Sequence, residues 1–248
     1  FSMIIRLVGS ISFILYQIGR MGVVLFLPSI ALNLVTGIDL FICISLMGVI
    51  SLIYTLLGGI EAVIWTDVVQ VFVLMGGVII SLVMIVIKTE GGFESILETA
   101  HLEEKFNAFD LTLSLKEPTV WVMLFGGFFI NLTTYGTDHT MVQRYLVTPT
   151  KEESQKSIWI GALLTIPSSL IFFFIGTSLF VFYKMNPSAL NENFITDDAI
   201  FPWYIVTQLP DGISGILIAA IFAAAMSSLS SSMNAGSASF NVDIFDRF

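Results

Sequence analysis

Near its end an otherwise apolar chain carries a run of serines, Ser227-Ser228-Leu229-Ser230-Ser231-Ser232. Ala224, Ser227, Ser228 and Ser231 follow the i, i+3, i+4, i+7 spacing that puts side chains on one face of a helix, and Ser230 flanks that stripe. Hydroxyl and carbonyl oxygens are hard donors, the kind that hard cations take. An alkali-ion site is one use of such a stripe. Close helix packing is the other, because small side chains let two backbones approach. Spacing alone leaves both open.

Two ionisable residues are set in apolar surroundings. Asp67 stands with Glu61 and Gln70 near the start of a long hydrophobic run. An ionisable group within a membrane helix is a functional-site candidate whose partner must be named. Asp67 and the Ser230/Ser231 pair fall at similar depth when their helices run in opposite directions, and a carboxylate with two hydroxyls makes a second cation site. The alternative is an interfacial carboxylate that meets water or caps a turn. Arg20 lies 14 residues (20 minus 6) beyond Arg6. A guanidinium at mid-bilayer costs roughly 2.5–3.5 kcal/mol on insertion scales, so Arg20 should face a cavity, with Gln17 one turn before it. There it can clamp a carboxylate through two parallel hydrogen bonds. A structural carboxylate or backbone carbonyls are the other way to hold it.

The elements that position these residues follow from composition. The chain has 248 residues, 56% hydrophobic and 12% charged, with a mean hydropathy of +0.91. A soluble domain is about 45–50% apolar and about 25% charged, so the lipid bilayer must act as solvent for most of this chain. The net charge of −9 comes largely from two polar segments, 88–117 and 184–211, and no basic patch argues for a nucleic-acid partner. The single Cys43 excludes a disulfide framework and a thiol metal site. With no Gly-rich phosphate loop, nucleophile elbow or Cys/His cluster, nothing points to an enzyme. Phe1 opens directly on an apolar run and the chain stops at a helix end, which reads as a piece of a longer protein.

A spanning helix needs roughly 20 mainly apolar residues. Six candidate segments run over about 3–35, 40–57, 62–87, 119–132, 155–183 and 213–245. Phe93, Ile96, Leu97, Ala100 and Phe106 suggest a short interfacial helix between the third and fourth, and 202–206 suggests another between the fifth and sixth. Arg144, Lys151 and Lys156 mark the loop after the fourth segment as cytoplasmic, whereas Lys184 sits among Glu192, Asp197, Asp198 and Asp211. The sixth segment then runs inward, and Gly58-Gly59-Ile60-Glu61 forms a cytoplasmic turn. Ser228 lies 15 residues past 213, or about 23 Å from the outer end, in the cytoplasmic half. After Asn131 the fourth segment turns polar and β-branched, through Leu132-Thr133-Thr134-Tyr135-Gly136-Thr137-Asp138-His139. Non-helical backbone at that depth is tolerated where it lines a cavity, as in the discontinuous helices of transporters, so a broken helix is expected.

Three motifs together resemble the sodium/solute symporter family. They are Gly58-Gly59-Ile60-Glu61-Ala62-Val63-Ile64-Trp65-Thr66-Asp67-Val68-Val69-Gln70, then Tyr135-Gly136-Thr137-Asp138-His139 through Val142-Gln143-Arg144-Tyr145-Leu146, and Ala224-Ala225-Met226-Ser227-Ser228-Leu229 through Asn234. The resemblance implies an all-α membrane protein with a five-plus-five inverted-repeat (LeuT-like) transporter core. Residues 1–248 would be a single membrane domain, the central fragment that holds core helices three to eight. It also implies half of a sodium site, with the Ala224 carbonyl and the Ser227 and Ser228 hydroxyls, the other half belonging to the family's first core helix. Asn131 matches a substrate-binding position, and Thr134 stands where some sugar-transporting members have a tyrosine gate. Within the family, the segment Phe13-Ile14-Leu15-Tyr16-Gln17-Ile18-Gly19-Arg20 is similar to that of bacterial sodium-coupled sialic acid transporters, in which the arginine holds the substrate carboxylate. Asp67, Ser230 and Ser231 match that subgroup's second sodium site. The implied activity is Na+-coupled symport of a small carboxylate-bearing solute across the bacterial inner (plasma) membrane. Its rivals are a symporter-like sensor domain of a signalling protein and an uncoupled uniporter or channel.

Overall fold

Apolar segments that lie in lipid must satisfy their backbone within themselves, which long helices do. In the computed structural model every regular element among the described residues is helical: α1 (Met3–Thr36), α2 (Leu40–Lys88), α3 (Gly92–Leu102), α4 (Val120–Gly136), α5 (His139–Leu146), α6 (Lys151–Met185), α7 (Ile200–Gln208) and α8 (Asp211–Asp243), with short 3-10 turns between some of them. The structure describes residues 3–107, 109–114, 116–146, 148–190 and 197–247. The side chains at 34, 35, 54, 58–63 and 66 (Glu61 among them), and Glu192, lie outside the described residues. Among the described residues, five stretches are long and apolar enough to cross a membrane: Met3–Asn33, Leu40–Leu57, Asp67–Lys88, Lys151–Met185 and Asp211–Arg247. Helices α4 and α5 add a sixth when the bent pair is taken as one span.

The chain falls into two compact units, residues 1–81 with 190–248, and residues 82–189. In the first unit α1 and α8 run antiparallel. Arg6 Nε lies 2.7 Å from Asp243 Oδ1, and the Ser10 hydroxyl donates to Asp243 Oδ2 at 2.7 Å. At the start of α8, α7 buries Tyr204 and Ile205 completely. The Ser214 hydroxyl lies 2.6 Å from the Ile205 carbonyl, which ties the first turn of α8 to α7.

Helix α2 differs from expectation at Gly58-Gly59-Ile60-Glu61, where helical turns continue without an open loop. Paired glycines cost about 1 kcal/mol each in a helix, and the strongly helical flanks override that. The expected change of direction nonetheless lies between the two arms. Ser29 Oγ is 3.4 Å from Met47 Sδ, so the first arm descends beside α1. The second arm ascends against α8, with Asp67 at Ser227 and Gly77 at Leu217. A Cβ on Gly77 would stand 2.5 Å from Leu217 Cδ2 and 2.8 Å from Cγ. Gly77→Ala is therefore expected to cost about 1–3 kcal/mol by overpacking. Thermal unfolding in detergent should show a lower midpoint, partly recovered when Leu217→Ala is added.

In the second unit α3 is a short helix where one was expected, and it rests on the end of α6. Ile96 and Ala100 are fully buried, Phe93 and Phe174 stack at 5.7 Å, Lys105 Nζ sits 4.2 Å over the Phe180 ring, and Lys184 pairs with Glu103. Gly91 at the N-terminus of α3 has φ +81°, and a Cβ there would meet Ser95 at 2.7 Å, so glycine is required. The hydrogen bond and charge of Lys184 hold the Glu103 carboxyl below its usual range. A carboxylate lowered in the folded state stabilises above its unfolded pKa and loses that support as pH falls through the folded one. Amide exchange in α3, relative to its intrinsic rate at each pH, should therefore quicken modestly below about pH 4. In Glu103→Gln it should already be faster at neutral pH, and equal protection in the two proteins would remove the pair from the account.

The fourth segment is broken, but later than its polar composition suggests. Helix α4 continues to Gly136, and α5 departs at 51°. Thr133 and Thr134 hydroxyls donate to the carbonyls of Phe129 (3.1 Å) and Ile130 (3.0 Å). This back-bonding keeps β-branched polar residues inside a helix. The helix ends where Thr137 and Asp138 amides both turn to the Thr133 carbonyl, and the Asp138 carboxylate accepts from the Thr140 amide at 2.8 Å to start α5.

Candidate functional site

The serine face of α8 lies in the first unit, between α1 and the ascending arm of α2. Ser230, Ser231 and Ser232 are buried, and Ala224, Ser227 and Ser228 are half-buried. The Ser227 hydroxyl donates to Asp67 Oδ1, and the Ser230 hydroxyl donates to the Ser227 carbonyl at 2.9 Å. Sequence reasoning divided these oxygens into two sets, Ala224/Ser227/Ser228 and Asp67/Ser230/Ser231. In the structure Ser227 belongs to both, through its hydroxyl to Asp67 and its carbonyl to Ser230. The signal for this lay in the register of two helices distant in sequence, which no local spacing contains.

Carboxylate, hydroxyl and carbonyl oxygens here meet where two apolar spans touch. A helical carbonyl keeps a second lone pair after its backbone bond, so Ala224 and Ser227 can each offer an oxygen to a cation. The half-buried Asp67 supplies the negative charge. Its hydrogen bond from Ser227 stabilises that charge, and sodium can replace the bond if the hydroxyl turns its lone pairs toward the ion.

Arg20 is half-buried, and among the described residues no carboxylate pairs with it. Gln17, one turn before, is buried at 1% exposure. From the Ser10–Asp243 contact, ten residues along α1 reach Arg20 and ten back along α8 reach Met233. Arg20 thus stands within about 9 Å, measured along the helix axes, of the level of Ser227. A guanidinium in that layer has the geometry to take an anionic ligand.

Asn131 and Thr134 stand on α4 in the second unit, within two turns of the break. Asn131 Nδ2 donates to the Gly127 carbonyl at 2.7 Å, and the Thr134 hydroxyl to that of Ile130. An open groove of about 560 Å³ runs along α6, and its Thr165 and Ser168 hydroxyls donate to carbonyls of their own helix.

Residues 2–248 match the profile of the Sodium:solute symporter family. The sodium/sialic acid symporter SiaT of Proteus mirabilis is 42% identical over 245 residues, 98% of this chain and 49% of that protein. The sodium/sialic acid symporter NanT of Aliivibrio fischeri is 40% identical over 248 residues, 100% of this chain and 49% of that one. A solved Na+-coupled sialic acid symporter, substrate-bound and outward-open with a novel Na+-site, superposes with a TM-score of 0.92 at 39% identity, over 100% of this chain and 52% of its own. The all-helical membrane fold expected from the sequence is therefore the symporter fold across this chain. The chain spans about half the length of the curated relatives it matches.

Proposed function

Because the chain belongs to the sodium:solute symporter family, we propose that it supplies core helices three to eight of a sodium-coupled importer, in a bacterial inner membrane, for a carboxylate-bearing solute such as sialic acid or a related sugar acid. The observation that carries this reading is the Asp67 carboxylate set on the serine face of α8 inside a membrane span. An unneutralised carboxylate in that setting is costly, and a small cation removes the cost. Ala224, Ser227 and Ser228 would hold one sodium ion, and Asp67 with Ser230 and Ser231 a second.

Arg20, with Gln17 beside it, takes the solute carboxylate; Asn131 and Thr134, in the other unit, are separate candidates for solute contact on their resemblance to the family. Sodium binding draws the oxygens of α2 and α8 around the ion and favours the state that accepts the solute. Movement of one repeat against the other then releases both inside. No bond is made or broken in the solute, and the sodium gradient supplies the work.

The test is uptake of radiolabelled sialic acid by the full-length protein in proteoliposomes. An inward sodium gradient should drive accumulation above equilibrium, and replacement of sodium by choline should abolish it. Equal uptake in choline would make the protein an uncoupled uniporter. Absence of uptake with retained binding would favour a sensor.

A further inference from the structure

The loop between α3 and α4 leaves its large apolar side chains uncovered. Phe109, Leu111 and Leu113 are 82%, 65% and 91% exposed, and they alternate with Asp110, Thr112 and Ser114. Single exposed apolar residues are ordinary on a protein surface, but a contiguous patch marks an interaction site. The polar positions are spent on the loop itself. The Thr112 amide donates to Asp110 Oδ1 at 2.9 Å, the Lys116 amide to Ser114 Oγ at 3.3 Å, and the Thr119 hydroxyl to the Ser114 carbonyl at 3.3 Å. Asp110, the one charged residue from 109 to 114, thus turns a carboxylate oxygen to its own backbone.

The patch is also fixed in height. The Val120 amide donates to the Asp110 carbonyl at 2.9 Å, and the Trp121 indole Nε1 donates to the Leu111 carbonyl at 3.2 Å. Both donors belong to the first turn of α4, where the bent sixth span opens. A tryptophan at the mouth of a span takes the headgroup layer, and its hydrogen bond holds Leu111 at that level. The patch continues into Trp121, Leu124, Phe125 and Phe128, an exposed apolar stripe at helical spacing on α4.

We propose that residues 109–113 anchor the chain to the membrane surface, with Phe109, Leu111 and Leu113 in the headgroup–acyl boundary of the leaflet at which α4 opens and Trp121 setting their depth. Arg144, Lys151 and Lys156 follow the far end of that span, which makes this the outer leaflet. The partner is the lipid surface itself, because the patch carries no cation to select a headgroup. Continuity with the apolar stripe of a span favours lipid over the remainder of the full-length protein as its cover. The inference is independent of the sodium and solute sites.

Phe109→Cys, Leu111→Cys and Leu113→Cys, each as the one reactive cysteine of the full-length protein, take a nitroxide label in liposomes of phosphatidylethanolamine and phosphatidylglycerol. Power saturation in electron paramagnetic resonance then compares collisions with oxygen, which enters lipid, and with a water-soluble nickel chelate. Oxygen should dominate at all three sites, at a depth of about 5–10 Å. Dominance of nickel at any of them puts the loop in water and overturns the anchor. Exclusion of both reagents shows protein over the patch and also overturns it. Should a cysteine variant fail to fold, fluorescence of Leu113→Trp, measured against the parent, gives the same three outcomes through quenching by brominated lipid, by aqueous iodide, or by neither.

Discussion

Full-length protein carrying Asp67→Ala should need about 10–100 times more sodium for half-maximal uptake, and its Hill coefficient for sodium should fall to about 1. Asp67 is the one carboxylate that meets the serine face of α8 among the described contacts. Its charge offsets that of the ion where water cannot, and hydroxyls alone hold sodium weakly. Asp67→Asn separates charge from shape. Asparagine keeps a carbonyl acceptor for the Ser227 hydroxyl, so a merely structural Asp67 would be rescued by it. If the charge holds sodium, Asp67→Asn should be nearly as impaired as Asp67→Ala. Wild-type sodium dependence in Asp67→Asn would reduce Asp67 to a packing residue.

Arg20→Ala should raise the half-saturating solute concentration by about 10–100-fold at saturating sodium, the loss of a charge-assisted pair of hydrogen bonds. Arg20→Lys keeps the charge but not the planar fork, and should recover only part of it. The decisive comparison uses a solute whose carboxylate is replaced by a carboxamide. The parent should discriminate strongly between acid and amide, and Arg20→Ala should treat them alike. Retained discrimination in Arg20→Ala would assign the carboxylate to another group.

What could be read in the sequence was local. The serine stripe was legible because helical periodicity lies within eight residues. The two short helices α3 and α7 were legible because their apolar positions recur at short range. The break after α4 was legible in kind but misplaced by several residues, since the hydroxyls of Thr133 and Thr134 bond back to α4 and carry it past the polar composition. The shared place of Ser227 was hidden. It depends on the register of α2 against α8, and that register is set where Gly77 lets Leu217 come close, far from any recognisable motif. Nor did composition show the division of the chain at residues 81 and 190.

The clamp of Arg6 and Ser10 on Asp243 has a consequence for biogenesis. Its partners are separated by 237 residues (243 minus 6). At about 5–20 residues per second, α1 emerges roughly 10–50 seconds before α8 exists to receive it. During that interval Arg20 sits in a helix whose antiparallel companion has not been made. Until α8 arrives, α1 can shelter Arg20 against the insertion machinery or another protein surface. Truncation before α8 should turn a stable early span into a substrate for membrane quality control.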